Sequence, residues 1–254
     1  VVIPAEARRS GERIVRGVEG LRRITRGVLT LVLADAELEP VPQPLTGHAS
    51  VRTAAKRRGR SPGAILLDSS LHHPALRNFP EGERRGRPDI AHLFLLLCLD
   101  SVLNAEGRLR TIVHTRNDDV IRVAPQTRIP KNYPRFVGLM EDLFQKGAVP
   151  EDKPLLTLER RLSLEKLLAG LPSPKWAFSE AGQRVSLWGE LAAVEGDLTA
   201  VVGGFPHGDF RSPVAKLCDR VVSIHEEPLR AWTVTSEILV AFRQRAGSPG
   251  EGSR

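Results

Sequence analysis

From residue 155 onward the chain alternates short apolar runs with longer amphipathic stretches, at 155–158, 164–169, 175–178, 185–194, 198–205, 220–224 and 229–245. Runs of four to eight apolar residues have the length of a buried strand, and the longer stretches have that of a helix. A strand that returns parallel to its neighbour needs such a crossover, so the rhythm specifies an α/β fold with a mainly parallel sheet. The first half is consistent with this. Residues 28–34 are apolar and β-branched, a buried strand before the Pro-rich loop 39–44, and a short basic helix (50–58) and a second strand (64–68) follow. Arg87-Pro88-Asp89-Ile90 marks a helix start, with proline in the first turn and a carboxylate favourable to the dipole; Ile90, Leu93, Phe94 and Leu97 fall on one face. Residues 109–115 and 120–124 flank Asn117-Asp118-Asp119 as a hairpin, and 134–146 is an amphipathic helix stopped by Gly147.

Both ends fall outside this pattern. Residues 1–26 hold seven Arg and three Glu with no hydrophobic period, which reads as a flexible basic arm without a targeting segment; 246–254 read as a disordered tail, leaving 27–245 as the domain. The longest strongly apolar run, 90–99, contains His92 and stops at Asp100, short of the roughly 20 residues that cross a bilayer, so no membrane span is expected. Cys98 and Cys218 form neither a disulfide framework nor a Cys-x-x-Cys pair, as expected of a cytoplasmic protein. The formal charge is +7, and thirty of the 37 basic residues are arginine, the fork that grips phosphate best. An arginine-biased genome gives the same count, so location matters more. Residues 77–135 hold eleven basic and seven acidic side chains, the densest basic region of the domain.

Two clusters could carry chemistry. Val201-Val202-Gly203-Gly204-Phe205-Pro206-His207-Gly208-Asp209 ends a buried strand in glycines, yet matches neither the Walker loop nor the dinucleotide fingerprint. It is either a bare tight turn or a place where backbone meets a ligand. Ile224-His225-Glu226-Glu227-Pro228-Leu229 follows another strand, so both loops can share the sheet edge where α/β folds bind ligands. The second cluster is Arg87-Pro88-Asp89, Asp100-Ser101 and the segment from Arg128 to Phe136. Basic groups interleaved with Tyr133 and Phe136 can hold phosphates and stack a base; a solvated basic face has the same composition. Asp89 and Asp100 flank an apolar helix, where carboxylates cap, pair or catalyse. The histidines are scattered, and His72-His73 points to opposite sides of any helix or strand, so no metal site is expected.

These segments together resemble one family. Leu66-Leu67-Asp68-Ser69-Ser70-Leu71-His72-His73, Arg87-Pro88-Asp89-Ile90-Ala91-His92, Leu99-Asp100-Ser101-Val102-Leu103-Asn104, Arg128-Ile129-Pro130 and Arg135-Phe136-Val137-Gly138-Leu139-Met140 appear in order. With Gly203 to Asp209 and the final helix, they are similar to the Nep1/Emg1 family of ribosomal RNA pseudouridine-N1 methyltransferases, best to its archaeal branch, over about residues 28–243. The resemblance implies a SPOUT-type fold with a C-terminal trefoil knot, a homodimer, S-adenosyl-L-methionine as cofactor and small-subunit ribosomal RNA as partner, in ribosome biogenesis. Carried over motif by motif, it places the cofactor at Gly203, Gly208 and Ile224, His225, Glu226, Glu227, Pro228 and Leu229, with Ser179 as a further contact. It places RNA at Arg87, Arg128, Lys131 and Arg135. Methylating N1 of a pseudouridine sends its ring proton to a base, water or phosphate, and Asp89 or Asp100 is the expected base or positioner, with Arg87 and the Arg128/Arg135 pair clamping phosphates. The apolar residues of the last helix, Trp232, Ile238, Leu239 and Phe242, are the expected dimer contacts. The chain departs from the family at Val102, usually proline, and in its basic arm. A non-catalytic RNA-binding assembly factor is the competing reading, which the glycine loops disfavour; a SPOUT enzyme acting on transfer RNA would lack the Arg-Pro-Asp and Arg-Ile-Pro segments.

Overall fold

The computed structural model describes residues 27–245, so the expected basic arm and tail lie outside the described residues. Its strands are β1 (Leu29–Ala36), β2 (Leu109–Thr115), β3 (Val120–Val123), β4 (Ala148–Val149), β5 (Leu156–Glu159), β6 (Lys175–Arg184), β7 (Leu198–Gly203) and β8 (Arg220–Ser223). They join in one sheet of order β4-β5-β3-β2-β1-β7-β6-β8. From β2 to β8 every neighbouring pair is parallel, and β3, β5 and β4 add an antiparallel margin. The architecture is therefore α/β with a mainly parallel sheet.

The helices are α1 (Ala49–Arg58), α2 (Ser69–Leu76), α3 (Pro88–Leu99), α4 (Val102–Ala105), α5 (Tyr133–Lys146), α6 (Leu164–Ala169), α7 (Leu187–Ala192), α8 (Val214–Leu217) and α9 (Ala231–Gln244). Along β1, Leu29, Leu31 and Leu33 face a core shared with α3, α5, α7 and α9, while Val32 and Ala34 face one shared with α6 and α8. Burial on both faces is why this strand reads as a continuous apolar run. Helices α1 and α2 close a smaller core of their own.

Residues 64–68 are not a strand of the sheet. Pro62–Ala64 coils into a 3-10 turn, Leu66 makes a single bridge to Pro40, and Asp68 turns to cap α2 by accepting from the Ser70 N–H at 2.9 Å. The Glu141 carboxylate of α5 anchors this stretch: it is buried, accepts from Arg58 Nη2 at 2.8 Å and the Leu66 N–H at 3.2 Å, and lies 3.1 Å from Arg60 Nε. Removing one partner of such a buried pair costs about 3–5 kcal/mol.

Helix α3 is apolar all round, so its inward face could not be chosen from the pattern. Ile90, Ala91, Phe94, Leu95 and Cys98 face the core, whereas Leu93 is exposed and Leu97 half-buried. Leu93, Leu96, Leu97 and Val102 instead line an open groove with Leu239 and Val240 of α9. Of the residues expected at a dimer contact, Ile238 and Phe242 are sunk in this chain's own core, Leu239 is almost covered, and Trp232 is half-buried. Among the described residues no helix is long and apolar enough to cross a membrane.

Candidate functional site

Because β6, β7 and β8 run parallel, their C-terminal ends share one edge, and the chain leaving β7 and β8 folds over it as two loops. Between these loops lies a cleft of about 290 Å³. It is lined by eight of the nine expected cofactor residues: Ser179, Gly203, Gly208, Ile224, His225, Glu227, Pro228 and Leu229. Glu226 does not line it and pairs with Arg184 at 3.0 Å. Phe178, Val202, Phe205 and Val234 supply apolar wall. Strand β6 continues past Phe178 to Arg184, but its register against β8 breaks between Phe178 and Gln183, which puts Ser179 and Glu180 at the cleft.

Hydrogen bonds within the loops fix their shape. Ser179 Oγ donates to Asp209 Oδ1 at 3.1 Å, and that oxygen also accepts from the Phe210 N–H at 2.8 Å. Ser223 Oγ donates to the His225 carbonyl at 2.9 Å, and His225 Nδ1 accepts from the Glu227 N–H at 3.0 Å, so neutral His225 carries its proton on Nε2. The far end of the loop after β7 is tied to β1, where the buried Asp35 carboxylate accepts from the N–H groups of Arg211 and Ser212 at 2.8 and 2.9 Å. Gly208 has φ +78°, and a Cβ on Gly203 would lie 2.5 Å from the Phe205 ring.

The second cluster converges on another face. Arg87 is the residue before α3, and its guanidinium makes two hydrogen bonds, 2.8 and 2.7 Å, to the Asp89 carboxylate. Those bonds raise the Arg87 pKa above its ordinary value despite partial burial. Arg128 and Lys131, on the segment leading into α5, and Arg135, in its first turn, are exposed, with Asn132 capping that helix at the Arg135 N–H. The segment is held to α3 by His92, whose Nε2 contacts the Pro130 carbonyl at 2.7 Å and whose ring stacks on Phe136 at 4.3 Å. Phe136 is thereby fully buried and is not available to stack a base, contrary to the sequence expectation. Tyr133 is half-buried and donates to Asp68 at 2.6 Å; burial, with that bond, pushes its phenol far above the ordinary range.

Asp89 and Asp100 stand at opposite ends of α3, about 16 Å apart along the helix. The Asp89 end of α3 is tied through the backbone to the cleft loop: the Arg87 N–H donates to the Glu37 carbonyl (2.9 Å), and the Glu37 N–H donates to the Gly204 carbonyl (3.0 Å). Asp100 is exposed, 3.6 Å from Lys131 and beside the α3–α9 groove. Within one chain the two carboxylates cannot serve the same atom.

A model of the EMG1/NEP1 methyltransferase family matches residues 31–243. The chain belongs to the EMG1/NEP1 methyltransferase family. It is 49% identical over 216 residues, 85% of this chain and 95% of the relative, to the ribosomal RNA small subunit methyltransferase Nep1 of Methanothrix thermoacetophila. The protein of the same name from Thermococcus kodakarensis is 48% identical over 223 residues, 87% of this chain and all of the relative. A crystal structure of Archaeoglobus fulgidus Nep1 bound to S-adenosylhomocysteine superposes with a TM-score of 0.75 at 38% identity, covering 87% of this chain and 99% of that one. This EMG1/NEP1 member is accordingly a methyltransferase.

Sequence reasoning missed the residues that link the two faces, chiefly Glu37 and Arg84. A signal for the first was present: Asp35, Glu37 and Glu39 alternate just where a buried strand ends, the edge where α/β folds place their sites. No local signal marked Arg84.

Proposed function

We propose that the protein methylates N1 of a pseudouridine in small-subunit ribosomal RNA, with S-adenosyl-L-methionine held in the cleft at the ends of β6, β7 and β8. The observation that carries this reading is the link of that cleft to the Arg87–Asp89 pair through the two backbone hydrogen bonds of Glu37. The cleft suits the donor chemically. Glu180, Asp209 and Glu227 line it with no Lys or Arg, as a sulfonium and an ammonium require, and its Phe and Val walls suit an adenine. When bound, S-adenosyl-L-methionine supplies an electrophilic methyl group. The protein's residues must bring N1 in line with it and provide for the proton that N1 loses. Pseudouridine is attached through carbon, so its N1 carries that proton. We assign Asp89 to accept it: an RNA phosphate that takes the Arg87 fork frees the Asp89 oxygens, and the proton on Asp89 then passes to solvent.

The same reading includes a homodimer across the groove of Leu93, Leu97, Val102 and Val240, since three of these apolar residues are exposed and Leu97 is only half-buried. It also includes a SPOUT-type C-terminal trefoil knot, supported by the placing of β6 between β7 and β8 and the return of α9 over β7. A cytoplasmic site of action goes with a ribosomal RNA substrate and two free thiols. A purely RNA-binding assembly role would have no use for the acidic, glycine-walled cleft.

Mass spectrometry of small-subunit RNA from cells with and without the protein tests the function. A methylated pseudouridine is expected only when the protein is present, and its persistence without the protein would refute the reading. RNA binding is expected to run through Arg128 and Arg135, which are exposed and make no ion pair among the described residues. Charge reversal at either should weaken a hairpin at every salt concentration and lower the salt slope by about one. An unchanged slope in filter binding would reduce these arginines to a solvated face.

A further inference from the structure

We infer that Arg84 is a positioning residue for the methyl donor, acting through the 203–212 segment without lining the cleft itself. The inference rests on the donor reading of that cleft. Arg84 is nine-tenths buried and spans two elements. Its Nε donates to Glu37 Oε1 at 2.8 Å, and its Nη1 donates to the Asp209 carbonyl at 2.7 Å. The guanidinium carbon lies over the Phe205 ring, 4.0 Å from its centroid, and a Cβ on Gly208 would lie 3.4 Å from Nη1. Three residues that line the donor cleft, Phe205, Gly208 and Asp209, therefore rest on one side chain.

The other end of Arg84 is equally fixed. The Glu37 carboxylate is fully buried at the end of β1 and is shared with Arg116 Nη1 at 2.6 Å. Burial raises its pKa, and the two guanidiniums oppose that rise. Glu81, from the turn just before Arg84, adds a second tie, reaching Arg116 at 2.6 Å and Arg211 at 3.5 Å. Arg84 Nη2, in contrast, is buried with no partner among the described residues. A side chain retained only to neutralise Glu37 would not need this placement. A carboxylate, a carbonyl and an aromatic face are held at once because the rigid planar fork presents donors in separate directions together with a stacking face.

The neighbouring residue supplies the control. Arg85 makes a two-point ion pair with Glu39, at 2.8 and 2.7 Å, its side chain as buried as that of Arg84 and also lying over a phenylalanine, Phe79. Neither Phe79 nor Glu39 lines the cleft. Arg84→Lys and Arg85→Lys should therefore lose similar stability but differ toward the donor.

For Arg84→Lys, the KM for S-adenosyl-L-methionine and the Kd for S-adenosylhomocysteine should rise at least about tenfold, while kcat at saturating donor and hairpin affinity stay near those of the parent. For Arg85→Lys, the donor constants should not move. Should Arg84→Lys fail to fold, Arg84→Gln is measured in its place, with the same expectation. If the unaltered protein fails to bind S-adenosylhomocysteine in calorimetry, the donor reading of the cleft falls and this inference with it. If it binds, and the Arg84 variant binds as tightly or the Arg85 variant loses as much, the inference alone is overturned.

Discussion

Gly208→Val should weaken S-adenosylhomocysteine binding by about a hundredfold or more, close to 3 kcal/mol, while leaving RNA affinity intact. Two effects add. At φ +78° a β-branched residue is strained by roughly 1–2 kcal/mol, so the loop relaxes away from its present path. The Cβ of the new side chain would also touch the guanidinium behind the loop, 3.4 Å from Arg84 Nη1. Its methyls then enter the cleft or displace the guanidinium that supports the loop. Gly107→Val separates these effects. Gly107 has φ +69° with nothing within 4 Å, so valine there brings the backbone strain alone and should reduce stability without touching donor affinity. Calorimetry on the two folded variants decides: parental affinity in Gly208→Val would remove the loop from the donor site.

The sequence made some of this legible, for identifiable reasons. The β1 strand, the β2–β3 hairpin and α5 are specified locally, by a two-sided apolar run, a turn signal and a helical period with Asn132 and Gly147 at its ends. The two cleft loops were legible because glycine and proline mark sharp turns after strands whose direction the α/β rhythm already set. The face of α3 was not, because Leu93 and Phe94 are equally apolar and only the packed sheet and α9 decide which is covered. The strand expected at 64–68 failed for the same reason: apolar content does not report whether a sheet edge is within reach. Least visible was the charged network behind the cleft. Glu37 meets Arg84 and Arg116 across 47 and 79 residues of chain, and Arg84 meets Asp209 across 125, so no window of sequence contains both partners.

A hairpin carrying pseudouridine at the target position should be methylated, and the same hairpin carrying uridine should bind and not react. Uridine has N1 tied to ribose, so it has no proton to lose there and no lone pair to offer, whereas the phosphates of the two hairpins are the same. Equal methylation of both hairpins would overturn the N1 assignment. The same assay locates the base. With Asp89 as proton acceptor, Asp89→Asn should lower turnover by about 10²–10⁴ with S-adenosylhomocysteine affinity preserved, the pattern of a group used in the transition state. Because Asp89 also holds Arg87, that variant leaves the guanidinium freer, and hairpin binding should tighten or stay level instead of falling. Asp100→Asn is the counterpart. Asp100 lies at the far end of α3 beside the α3–α9 groove, so it can meet a reacting base only across a dimer formed on that groove. If Asp100→Asn is the variant that loses turnover, mixing it with Gly208→Val subunits should restore activity, since each mixed dimer would keep one site with both a sound cleft and a sound carboxylate. If both Asn variants turn over at the parental rate, no carboxylate takes the proton, and catalysis rests on holding N1 in line while solvent receives it.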